Sequence, residues 1–233
     1  MAQLPLDLGH RPALGWDDFL VAPSNQAAVQ WLDRWPRWPG PALALFGPAG
    51  GGKTHLAHVF QARSQAVFIA SEELAADRVR QLLGRFRAVI IDGGERAALK
   101  DGGEALFHLY NLLAEIGGHL LLVSREPPSR WRIDLPDLRS RLLASPAVDV
   151  APPDDALLAS VLVKLFADRQ LTVGKDVIGY LLTRLERSFA AARGAVEALD
   201  QAALAAQRRV TIPLARQVLE SEPGTGEGGQ LPI

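Results

Sequence analysis

A chain of 233 residues, 48% of them hydrophobic, suffices for one large domain or a domain with a small satellite, and is too apolar to stay unfolded. The absence of cysteine excludes a disulfide scaffold, a thiolate metal site and cysteine catalysis. With 25 basic against 26 acidic residues the net charge is −1, which lacks the basic excess of a dedicated duplex-DNA binder.

Residues 1–12 carry Pro5, Gly9 and Pro12 and read as a flexible tail. Met1 to His10 lacks the basic start of a secretory signal, and no apolar run approaches the ~20 residues that span a bilayer. A cytoplasmic protein is the expectation. Ser24 or Asn25 is placed to cap a helix running to about Trp35, where Pro36 and Pro39 stop it. Trp31, Trp35 and Trp38 read as packing residues.

An apolar strand at 42–46 leads into Gly47-Pro48-Ala49-Gly50-Gly51-Gly52-Lys53-Thr54, and a helix is expected at 53–63. The run fits G-x-x-x-x-G-K-[ST] at every fixed position and in the strand–loop–helix setting the motif needs. Its glycines let backbone N–H groups converge on an anion, and the helix adds its positive end. Lys53 is expected to reach the β- and γ-phosphates of a nucleotide, and Thr54 to hold Mg²⁺.

Further strands are expected at 66–70, 87–91, 119–123 and 147–150, with helices near 72–84 and 102–116. Asp101 and Glu104 have the spacing of a capping box. Apolar strands alternating with helices predict a parallel five-stranded sheet with flanking helices. Asp92 ends the third strand, where a phosphate-loop protein places a carboxylate near Mg²⁺. Gly93 follows and cannot orient a water through a side chain. Glu95, three residues beyond Asp92, is the acid that could take that part. Ser124 ends the fourth strand, where it could sense a γ-phosphate or close a turn.

Arg139 and Arg141 lie two apart in Leu135–Leu142, so on a helix they point to different faces. One suits a local contact, the other a finger on a neighbour's nucleotide. Only four of the basic residues are lysines (Lys53, Lys100, Lys164 and Lys175), so a single arginine is a weak marker here. After Ala151-Pro152-Pro153 strand patterns stop. Helices are expected near 154–169, 174–186, 189–208 and 213–221, then a Gly-rich tail at 222–233. The expected division is a tail at 1–12, an α/β nucleotide-binding domain at 13–151, a small all-α domain at 152–221 and a tail at 222–233.

Gly47 to Leu56, with His55-Leu56 after the Lys-Thr pair, resembles the phosphate loop of the AAA+ ATPases related to the replication initiator DnaA. Ser124 to Pro128, Leu135 to Leu142 and Leu199 to Pro213 are similar to Hda-type members of that group. The resemblance implies an AAA+ domain followed by a helical lid. It implies binding of ADP or ATP with Mg²⁺ through Gly47–His55 and Asp92. It casts Ser124 as sensor I, Arg193 as sensor II and Arg141 as an arginine finger acting in trans, with Arg139 second in line. Phe19-Leu20-Val21 would line the adenine pocket.

Gln3-Leu4-Pro5-Leu6-Asp7-Leu8 fits Q-L-x-L-x-L, similar to the motif by which bacterial proteins dock on the β sliding clamp. Leu4, Leu6 and Leu8 would be apolar anchors and Gln3 a hydrogen-bonding group at the pocket rim. Gln230-Leu231-Pro232-Ile233 repeats a fragment of it. The resemblance thus implies a negative regulator of replication initiation. It would meet DNA only through the clamp and promote hydrolysis by DnaA, with little ATPase activity of its own because of Gly93. The competing expectation is an autonomous AAA+ motor or loader, self-assembled and using Glu95.

Overall fold

The apolar runs of the first half form five parallel strands in the computed structural model, which describes residues 20–74 and 86–221. The strands are β1 (Ala42–Phe46), β2 (Val67–Ala70), β3 (Ala88–Asp92), β4 (His119–Val123) and β5 (Ala147–Asp149), in the spatial order β2-β3-β4-β1-β5. Helices α1 (Gln26–Asp33), α2 (Lys53–Ser64), α3 (Gly94–Ala97), α4 (Lys100–Glu115) and α5 (Pro136–Ala144) are interleaved with them. The expected helix at 72–84 falls largely outside the described residues, as do Gln3 to Leu8, Phe19 and Gln230 to Ile233. No described helix is long and apolar enough to cross a membrane.

Residue alternation explains why the sheet buries both faces. Ala42, Ala44, Val89, Ile91, Leu120 and Leu122 enter one core with α4 and α5. Leu43, Leu45, Ala88, Ile90, Leu121 and Val123 enter a second core with α1 and α2. Trp38 is buried in that second core, and Trp31 and Trp35 pack against it. The C-terminal ends of the inner strands carry the site. β3, β4 and β1 are adjacent, and Leu45 and Asp92 both lie in register with Val123. The residues leaving these strands therefore emerge side by side.

Some element ends differ from expectation for local reasons. Helix α1 starts at Gln26, but the Asn25 side chain faces backwards: it accepts from the Ala22 N–H and donates to the Leu20 carbonyl. Helix α4 starts at Lys100, so Asp101 lies inside its first turn and Leu99 takes the cap position. The single turn α3 was not expected, whereas Asp92 ends β3 as read from the sequence.

The contacts divide the chain into Met1–Pro152 and Pro153–Ile233. The second unit contains α6 (Asp155–Asp168), α7 (Lys175–Leu182), α8 (Phe189–Ala206) and α9 (Ile212–Ser221) around its own core of Leu158, Leu162, Phe166, Leu181, Val196 and Leu199. Asp154 caps α6 by accepting from the Leu157 N–H at 2.7 Å, and Ser188 caps α8 by accepting from the Ala191 N–H at 3.0 Å. Helix α7 ends at Leu182, short of the expected Glu186.

Candidate functional site

The loop between β1 and α2 requires glycine at two points in particular. At Gly47, with φ +144°, a Cβ would run into the Val150 carbonyl at the end of the neighbouring strand. At Gly52, φ +93° turns the chain into α2. Pro48 and Ala49 lie on the exposed side of the loop, Gly50 has φ +73°, and Gly51 is packed near the Pro48 and Val150 carbonyls. The first N–H groups of α2, including those of Lys53 and Thr54, have no acceptor within the helix.

Lys53 is the buried charge of the site, at 8% exposure. Its ammonium donates to the Gly47 carbonyl at 2.8 Å and the Pro48 carbonyl at 2.6 Å. Burial pushes its pKa below the ordinary lysine value, while Asp92, Glu95 and Asp149 hold charge on it and Arg125 works against them. Thr54 Oγ1 donates to Asp92 Oδ2 at 3.1 Å, which joins the loop to the end of β3. His55 is exposed next to Thr54 on α2.

Gly93 also takes a left-handed conformation, φ +87°. A Cβ there would stand 2.9 Å from Ser71 Oγ and 3.0 Å from the Arg96 guanidinium. The turn it makes starts α3, which carries Glu95 back toward β4. Glu95 Oε1 accepts from the Arg125 N–H at 3.2 Å, and the Arg125 carbonyl accepts from the Gly47 N–H at 3.2 Å. Glu95 Oε2 is buried with no hydrogen-bond partner.

Ser124 is buried, and its hydroxyl donates to the Glu126 carbonyl at 2.9 Å, so in this state it closes the turn after β4. Arg139 and Arg141 are exposed on α5. Arg193 is exposed on α8 in the second unit. Leu20 and Val21 are half-buried, Val21 against the α1–α2 core. The structure thus brings together Gly47–Thr54, Asp92, Glu95 and the Ser124–Arg125 turn. Sequence reasoning missed Arg125 and Asp149; their only signal was a position directly after a strand or at its end.

Comparison with known proteins agrees with this geometry. A family model described as Hda, lid domain, matches residues 155–219. An uncharacterized protein of Haemophilus influenzae is 30% identical over 188 residues, covering 77% of this chain and 81% of that protein. Domain III of the Thermotoga maritima replication initiation protein DnaA superposes with a TM-score of 0.76 at 21% identity, covering 90% of this chain and 97% of that one. AMPPCP-bound DnaA from Aquifex aeolicus superposes with a TM-score of 0.67 at 17% identity over 80% of this chain, which spans 65% of that structure's length. The solved structures show the fold, and the lid model places the helical unit with the Hda lid domains. The chain has the AAA+ fold of the DnaA structures, and its helical unit belongs to the Hda lid family.

Proposed function

We propose that this protein is a nucleotide-binding negative regulator of replication initiation. It docks on the DNA-loaded β sliding clamp through Gln3, Leu4, Leu6 and Leu8, meets ATP-bound DnaA, and promotes hydrolysis there by inserting Arg141. The observation that carries the reading is the pairing of a complete phosphate loop with a left-handed glycine where a water-orienting acid would stand.

ADP or ATP fits the loop. Glycine at position 47 lets the loop pass the Val150 carbonyl that a Cβ would meet, and the α2 N–H groups and Lys53 are donors for phosphate. Lys53 now donates to loop carbonyls, contacts it would exchange for phosphate oxygens. Thr54 and Asp92 would hold Mg²⁺, since one hydroxyl and one carboxylate are the oxygen donors that this hard cation takes. Bound Mg²⁺ would neutralise charge between the phosphates. Ser124 would read the bound nucleotide from the end of β4, and the sensor II role falls to Arg193 by family resemblance. The solved DnaA relative with AMPPCP supports an adenine nucleotide as ligand.

Single-turnover hydrolysis by ATP-loaded DnaA, with clamp and DNA present, tests the reading. Arg141→Ala should remove the stimulation; full stimulation by that variant sinks the finger. Leu6→Ala with Leu8→Ala should abolish clamp pull-down, and unchanged capture removes the tail from the account.

One observation favours a second reading, an autonomous AAA+ ATPase. The buried Glu95 oxygen, beside the charge of Lys53, is an acid within the site despite Gly93. Steady turnover by the purified protein, lost in Glu95→Gln with ATP binding retained, would establish it.

A further inference from the structure

The two arginines of α5 have different surroundings. Arg139 makes no ion pair or ring contact among the described residues. The Arg141 guanidinium lies 5.4 Å from the ring centre of Phe107 and 5.5 Å from that of Tyr110. Phe107 and Tyr110 are three apart on α4, so both rings stand on one face of that helix. Tyr110 is buried at 7% exposure and Phe107 packs against the same core, so the rings are anchored from below. Arg141 itself is exposed and, among the described residues, has no carboxylate partner.

That kind of contact matters for a residue that must act elsewhere. A carboxylate would hold the guanidinium in place but would take its donors in pairs and cancel its charge. Ring faces attract the cation through their quadrupole and leave its N–H edge free. The planar fork is then oriented with its charge intact, and less side-chain freedom is lost when it meets phosphate oxygens.

We propose that Phe107 and Tyr110 form an aromatic seat that aims Arg141 at the nucleotide of a partner. Both are positioning residues: they act through Arg141 and touch no reacting atom. The proposal rests on the finger reading above, and it reverses the simpler expectation that the arginine with a local contact is the structural one.

The test uses the full-length protein with ATP-loaded DnaA, clamp and DNA. In Phe107→Leu the maximal stimulated rate should fall roughly three- to tenfold for the loss of one ring of a two-ring contact. The concentration giving half-maximal stimulation should stay at the parental value, and Phe107→Tyr should restore the rate. A parental thermal midpoint establishes that the variant is folded; Phe107→Met replaces it if leucine loosens the core. An unchanged or raised rate in Phe107→Leu, with Arg141→Ala inactive, overturns the seat and leaves the finger standing. Full stimulation by Arg141→Ala overturns both, and loss of stimulation in Arg139→Ala would then move the finger to Arg139.

Discussion

Gly93 shows how much one residue can settle. Its φ of +87° and the nearby Ser71 and Arg96 atoms leave no easy place for a side chain. A non-glycine residue held there costs on the order of 1–3 kcal/mol, with aspartate near the low end because it tolerates left-handed backbone. Gly93→Asp should therefore lower the thermal midpoint without raising phosphate release. A fully stable variant with faster turnover would contradict this. Lys53 carries the complementary prediction. At a hundredfold excess over Kd, nucleotide should add about 2.7 kcal/mol of stability to the parent, read as a rise in thermal midpoint. Lys53→Ala should show almost none of that rise, because it removes the buried cation that donates to the loop. Gly47, Lys53 and Asp92 were legible in the sequence because their motif is local. The conformation of Gly93 and the Glu95–Arg125 contact were not, since they depend on residues that meet only in the fold.

At the scale of elements, strands were easier to read than helix ends. Four- and five-residue apolar runs can form little else between turn signals. Helix ends depend on which side chain reaches a free N–H, and Asn25 and Asp101 both had the right chemistry without taking the role. Asp154 did take it, and Asp154→Ala should cost about 1 kcal/mol in the unfolding of the helical unit. The start of β4 carries a pH-sensitive element. His119 is buried, with ring centres 6.0 Å from Trp35 and 5.4 Å from Trp38. Burial pushes its pKa below the ordinary histidine value, and a hydrogen bond with the Pro36 backbone opposes the shift only in part. The unfolded chain therefore binds a proton more readily than the folded one. The stability tied to neutral His119 is present above the unfolded pKa of about 6.5 and is lost as pH falls toward the folded pKa. The thermal midpoint should drop between pH 7.5 and 5.5, and His119→Gln should flatten that slope. An equal slope in the variant assigns the pH dependence to other groups.

At the scale of the whole molecule, each of the two units has its own core. All five tryptophans (Trp16, Trp31, Trp35, Trp38 and Trp131) precede Pro153, so tryptophan emission reports on the first unit. Phe166 is fully buried in the helical core of the second. Phe166→Ala, a loss of about 3–5 kcal/mol, should shift the helical circular dichroism transition well ahead of the tryptophan transition. Coincident shifts would mean that the units unfold as one. By itself the sequence determined the order of strands and helices, the phosphate loop, and the kinship carried by short motifs, because each is written in neighbouring residues. Only the tertiary structure decided that Thr54 meets Asp92, that Glu95 enters the site behind a left-handed Gly93, and that Arg141 rests on Phe107 and Tyr110. Those contacts join residues about 30 or more positions apart, and strand order and packing alone bring them together.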